Sequence, residues 1–166
     1  MLALNLTMTS RNDCVECPMG TSCSVGSTSP TNCSVGMFND RPRQTRCQKC
    51  YDGTYQDDEG STHCKDCIAG HYCPDGASAP IPCRAGSYSS GARLKQQDQC
   101  DVSPPGSYSA IGSSKPRLCA VGTFSSRPGS DVCEPCHPGT YATLPGAVEC
   151  AVCEPGHWYA TRLDHR

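Results

Sequence analysis

Apolar side chains in this chain recur by phase rather than in runs. Phe38, Tyr55, Tyr72, Tyr88, Tyr108, Phe124, Tyr141 and Trp158 are eight of its ten aromatics, and they follow one another at intervals of 16 to 20 residues. Each stands two residues after a glycine, and all but Tyr108 stand five residues after a cysteine. The unit is Cys-x-x-Gly-x-aromatic, as in "CSVGMF" at Cys33, "CYDGTY" at Cys50, "CIAGHY" at Cys67 and "CHPGTY" at Cys136. Between the units lie polar, turn-rich segments such as "NDRPRQTR", "QDDEGSTH" and "SSRPGSDV". This pattern predicts short hairpin-like ribbons with solvent-facing tips and little helix. Ahead of the array, Leu2, Leu4, Leu6 and Met8 alternate with polar residues, the period of a half-buried strand.

Two members depart from the unit. "CPMGTS" at Cys17 has Ser22 in the aromatic place, and "SPPGSY" has Ser103 in the cysteine place with Gly106 and Tyr108 in register. With these the series has nine members. The glycine suits a positive φ or a close chain approach. The aromatic offers a flat face able to cover a disulfide of its own or a neighbouring unit. No unit has enough apolar surface to stand alone, so neighbours must stack. The organisation expected is an N-terminal extended segment (1–13), cysteine-rich blocks 14–66, 67–102 and 103–159, and a short tail (160–166).

Composition explains what replaces a core. Leu, Ile, Val and Phe number 20 of 166 residues, whereas Gly and Pro number 30 and Cys 16. So few bulky residues cannot offset the entropy of ordering the chain. A cysteine density near one in ten marks a disulfide scaffold. Each link around a loop of about 15 residues contributes about 3 kcal/mol by restricting the unfolded chain. The fold class expected is small and disulfide-rich: elongated tandem cysteine-rich repeats with short irregular β-hairpins, little helix and no central hydrophobic core. Such links persist in oxidising compartments, which places the chain outside the cell or on its surface. A net charge of −2 gives no reason to expect a nucleic-acid partner. No stretch approaches the ~20 apolar residues of a membrane span. "MLALNLTMTS" lacks the basic start of a signal peptide.

The pairing follows from what one repeat lacks. "CPMGTSCSVGSTSPTNC" (Cys17 to Cys33) and "CIAGHYCPDGASAPIPC" (Cys67 to Cys83) share the spacing C-x5-C-x9-C. "SPPGSYSAIGSSKPRLC" aligns with both, but Ser103 and Ser109 replace the first two cysteines together. A joint loss is expected of bonded partners, because losing one alone leaves a reactive thiol. Cys17 is therefore paired with Cys23, and Cys67 with Cys73. Each remaining repeat then closes on itself: Cys33 with Cys47, Cys50 with Cys64, Cys83 with Cys100, Cys119 with Cys133, and Cys136 with Cys150. Without that staple, the chain from Ser109 to Arg117 is expected to be looser than its relatives.

Cys14 and Cys153 are left over, one near each end. Three readings stand: their partners lie in a longer array, they link successive molecules, or the pairing is different. Linked head to tail without closing a ring, copies of the chain would form filaments.

The strings "CIAGHYCPDGASAPIPCRAGSYSSGARLKQQDQC" and "CEPCHPGTYATLPGAVECAVCEPGHWY" resemble the cysteine-rich, ephrin-receptor-like (GCC2/GCC3-type) repeats of extracellular and surface proteins. The unit is also similar to the first half-module of tumour-necrosis-factor-receptor cysteine-rich domains, where one disulfide closes the loop. The resemblance covers residues 14 to 159 and implies a repeat class, not a function.

Rival chemistries have weaker signals. "CQKCYDGTYQDDEGSTHCKDC" reads C-x2-C-x13-C-x2-C, close to a four-cysteine zinc site, and the spacing recurs from Cys133 to Cys153. His63, His71, His137, His157 and His165 are scattered without a nucleophile or acid beside them. Asp57, Asp58 and Glu59 lack the ligand spacing of an EF-hand loop. No catalytic residue, metal or cofactor is expected. Asn5 and Asn32 head N-x-[ST] sequons and are the candidate N-glycan sites, with hydroxyl clusters such as "SAIGSS" as candidate O-glycan carriers. The function expected is a non-catalytic extracellular rod that builds a filament, coat or appendage with copies of itself or other extracellular proteins. The alternative is a ligand-binding receptor-like or adhesion ectodomain.

Overall fold

The computed structural model describes residues 14–156. The alternating segment at Leu2–Met8, the sequon at Asn5, and His157, Trp158 and His165 lie outside the described residues.

Eight two-stranded antiparallel hairpins follow one another along the chain, and no strand exceeds two residues. The first joins β1 (Thr21–Ser22) to β2 (Thr31–Asn32), the second β3 (Met37–Phe38) to β4 (Gln48–Lys49), and the third β5 (Thr54–Tyr55) to β6 (Lys65–Asp66). The fourth joins β7 (His71–Tyr72) to β8 (Ile81–Pro82), and the fifth β9 (Ser87–Tyr88) to β10 (Asp101–Val102). The sixth pairs β11 (Ser107–Tyr108) with β12 (Arg117–Leu118), the seventh β13 (Thr123–Phe124) with β14 (Glu134–Pro135), and the eighth β15 (Thr140–Tyr141) with β16 (Ala151–Val152). One 3₁₀ turn, Gln97–Gln99, fills the longer loop of the fifth hairpin.

In hairpins two to eight the first strand ends on the repeated aromatic, and in all eight the second ends just before the cysteine or serine that opens the next unit. The glycine before the first strand folds the chain back on itself. In the second hairpin Gly36 sits at φ +78°, and its carbonyl accepts the N–H of Cys50, the residue that follows β4 (2.9 Å).

Seven disulfides hold these loops: Cys17–Cys23, Cys33–Cys47, Cys50–Cys64, Cys67–Cys73, Cys83–Cys100, Cys119–Cys133 and Cys136–Cys150. They join the same cysteines as the joint-loss argument. Cys14 and Cys153 are free. The zinc spacings dissolve into these links: Cys47, Cys50, Cys64 and Cys67 belong to three different disulfides.

The interior is sulfur and polar atoms rather than aliphatic packing. Cys33, Cys50, Cys67, Cys73, Cys83 and Cys119 are fully buried, and so are Asn39, Ser103 and Ser109. Tyr55 lies half-buried against the Cys67–Cys73 disulfide of the following hairpin. Tyr55 thus shields sulfur, as the phase of the aromatics suggests.

Candidate functional site

The feature that recurs throughout the array is the seam between one hairpin and the next. Three backbone hydrogen bonds cross it. The unit glycine N–H donates to the carbonyl of the residue after the next hairpin's first strand, as Gly36 does to Gln56 (2.7 Å). The residue after the first strand donates to a carbonyl in the next loop, as Asn39 does to Ser61 (3.1 Å). A residue with positive φ in the next loop donates back to the carbonyl that opens the unit, as Gly60 does to Cys33 (2.8 Å). All three occur at each of the seven junctions. The junctions across 66/67 and 102/103 keep them too, as Gly53→Cys73 (2.7 Å) and Gly86→Ser109 (2.8 Å) show.

A second set of contacts skips one hairpin. A Cβ built on Gly70 would overlap the carbonyl of Gly112, two hairpins on, with its carbon only 3.0 Å away. Gly20, Gly36, Gly53, Gly86 and Gly106 meet the corresponding loop residue in the same way. Each hairpin thus touches its successor and the one after, so the array coils and alternate hairpins stack over one another. Near the C-terminal end of the described residues this cover stops, and a Cβ on Gly122 or Gly139 would meet nothing within 4 Å.

Four ion pairs follow the same rule. Asp66 pairs with Arg93 (3.0 Å), Lys49 with Asp75 (3.5 Å), Asp52 with Lys95 (3.1 Å) and Glu16 with Arg43. Arg43 and Arg93 occupy the loop position that elsewhere belongs to glycine, at φ +63° and +65°. A carboxylate faces each of these left-handed arginines, Glu16 at Arg43 and Asp66 at Arg93. Further along, Val102 and Leu118 lie against Gly129 and Gly146 in the equivalent place. The seam is ionic in the first half of the array and apolar in the second. Because the charged pairs are exposed, salt screens them.

The slot directly after the first strand decides how each loop is closed. It holds Cys23, Asn39, Gln56, Cys73, Ser89, Ser109, Ser125 and Ala142 in turn. Asn39 Nδ2 donates to the carbonyls of Thr21 (2.8 Å) and Arg46 (3.1 Å), tying the first hairpin to the second loop. Its Oδ1 is buried and accepts nothing. Gln56 Nε2 donates to the His63 carbonyl (2.6 Å), and its Oε1 accepts the Asp58 N–H (2.9 Å). Sequence reasoning missed both side chains. The available signal was their alignment with Cys23 and Cys73. Replacing Asn39 by alanine removes its bonds to the buried Thr21 carbonyl and the part-buried Arg46 carbonyl and is expected to cost about 2 kcal/mol, measured as a lowered denaturant midpoint.

Ser103 and Ser109 occupy the missing staple. Both are fully buried, and Ser103 Oγ donates to Ser109 Oγ at 2.7 Å. The backbone bonds around them match those of the stapled relatives: Ser109→Ser130 (3.1 Å) parallels Cys73→Leu94 (2.9 Å), and Gly112→Cys83 (2.9 Å) parallels Gly76→Cys50 (2.8 Å). A hydroxyl pair stands in the place of the disulfide, and the backbone bonding pattern around it is kept.

The other candidate residues are dispersed. Lys65 lies between Asp57 (2.5 Å) and Asp58 (2.8 Å). Its hydrogen bond holds the Asp57 carboxyl below the usual range and lifts the ammonium above its own. One ammonium thereby offsets one of the tip's three carboxylates, Asp57, Asp58 and Glu59. His71 Nδ1 lies 3.1 Å from the Ala69 carbonyl, with its ring beside Gly112 in the seam. Asn32 is exposed on β2, next to Gly60. Cys14 lines an open cleft of about 420 Å³ with Val15, Glu16, Arg43, Gln44 and the Cys17–Cys23 disulfide.

No family model matches the chain. It is similar to the human protein named signal peptide, CUB and EGF-like domain-containing protein 2, with 30% identity over 119 residues, 69% of this chain and 11% of that protein. The mouse protein of the same name is 31% identical over 105 residues, 63% of this chain and 9% of its own length. The chain spans about a tenth of these curated relatives. Likeness to proteins with EGF-like and CUB domains, together with seven disulfides, makes this a cysteine-rich repeat of the extracellular kind. Among the described residues no helix is long and apolar enough to cross a membrane.

Proposed function

We propose that the chain is a non-catalytic extracellular structural module, a disulfide-stapled rod that extends by adding hairpins or further molecules at its ends. The observation that carries this reading is the seam, repeated at seven junctions with the same three backbone bonds. A seam whose backbone groups are addressed to neighbouring hairpins suits assembly better than recognition of a foreign ligand. Partners are other copies of the chain or extracellular proteins with the same repeat.

The two free cysteines complement each other in register. Cys14 precedes Cys17 by three residues, as the loop-closing Cys47 precedes Cys50 and Cys64 precedes Cys67. Cys153 opens a unit, as Cys136 does. A head-to-tail junction therefore unites a closing thiol with an opening one. Under oxidising conditions the full chain is expected to give a ladder of species on non-reducing gels. C14S and C153S should each remain monomeric alone and form one dimer when mixed. Monomeric wild type, or equal homodimers of each variant, would overturn the head-to-tail reading.

A further inference from the structure

We propose that the sixth hairpin is a built-in length reserve, the segment that yields furthest when the rod is pulled. This concerns the single chain under load and does not rest on assembly between molecules. The observation behind it is the covalent map. A tensile load on the backbone passes through each disulfide rather than around its loop. A closed loop adds only its Cα–Cα span of 5.6 to 6.1 Å and cannot pay out chain.

Between Cys17 and Cys150, only the stretches between one disulfide and the next are free to extend. Three of the six are two residues long, such as 48–49 between Cys47 and Cys50. Residues 24–32 and 74–82, nine each, lie behind the short staples Cys17–Cys23 and Cys67–Cys73. Residues 101–118, eighteen in all, separate Cys100 from Cys119 with no link between them. At ~3.4 Å per residue, the last is about 60 Å long when fully extended and each other about 30 Å, and the length released is this contour less the folded span.

At rest this stretch keeps the native seam. Ser103 and Ser109 hold each other at 2.7 Å, and Ser109 and Gly112 make the same backbone bonds as their stapled counterparts. The hairpin is therefore ordered when unloaded. What differs is that hydrogen bonds alone, which break and re-form, restrain its length. Two serines in place of two cysteines turn a fixed link into a reversible one. The length returns when the load is removed, because nothing covalent has changed.

The experiment is single-molecule stretching of the full chain, tethered at its two ends in non-reducing buffer. The wild type is expected to show one long release of up to about 60 Å and two of up to about 30 Å, at ~3.4 Å per residue. S103C/S109C, with the added disulfide verified by the loss of two hydrogens in its mass, should convert the long release to one of up to about 30 Å, because 110–118 is then the free stretch. S103A/S109A should keep the long release and lower the force at which it occurs. A wild type without a release longer than its two short ones overturns the proposal, whether or not the variants fold. So does a long release that persists once the new disulfide has formed.

Discussion

Gly70→Ala is expected to destabilise the array by about 3 kcal/mol or more, the sum of a left-handed backbone penalty and a steric overlap that only backbone movement can relieve. Gly70 has φ +77°, and its missing side chain faces the carbonyl of Gly112 and the backbone of Ser113, 3.2 Å away. Gly122 provides the internal control. It has φ +78°, but a Cβ there would meet nothing within 4 Å. Gly122→Ala should therefore cost only the conformational term, about 1 kcal/mol. Denaturant midpoints of the two variants, taken with disulfides intact, measure the difference. Equal losses would mean that the contact between alternate hairpins is not part of the folded array in solution.

S103C/S109C is expected to raise stability by about 2 kcal/mol, since it closes a seven-residue loop in the unfolded chain. The relatives show that this backbone accepts the link: Cys17–Cys23 and Cys67–Cys73 both span 5.9 Å between Cα atoms at the same sequence separation of six. Ser103→Ala alone should act in the opposite direction. It leaves the Ser109 hydroxyl buried without its partner, at a cost of about 1 to 3 kcal/mol. Removing both hydroxyls in S103A/S109A should therefore cost less than the sum of the single losses. Amide exchange at Ser109 and Gly112 reports the same quantities locally. If Ser103→Ala and S103C/S109C both leave exchange there unchanged, the hydroxyl pair contributes nothing to holding the hairpin.

The two experiments address features of different legibility. The disulfide partners were readable because one repeat of the three lacks two cysteines at once, a local fact needing no geometry. The unit glycines were readable as turn residues, because positive φ is a property of a single residue. Their second role, as a seat for a carbonyl two hairpins away, was not. Nothing within the six residues of "CIAGHY" points to Gly112. The same limit hid Asn39 and Gln56. In a turn-rich segment an amide after an aromatic looks like surface, and its burial comes from the hairpins stacked on either side. Arg43 and Arg93 were passed over because each takes a glycine's conformation, with its facing carboxylate 27 residues back at Glu16 and Asp66. The missing staple was legible as an absence, but the hydroxyl pair in its place was not. Two small hydroxyls pack and bond where two sulfurs had been.

The sequence by itself determined the repeat, its phase, the absence of an aliphatic core and the cysteine partners. Each depends on residue types at short spacing: a glycine for the turn, an aromatic to cover sulfur, and two cysteines within reach of one loop. Only the tertiary structure decided how hairpins sit on one another. That choice rests on backbone groups, which every residue carries alike, and on contacts between loops separated by a whole intervening repeat. The stapled units are local chemistry, whereas the coiled stack is a property of their repetition.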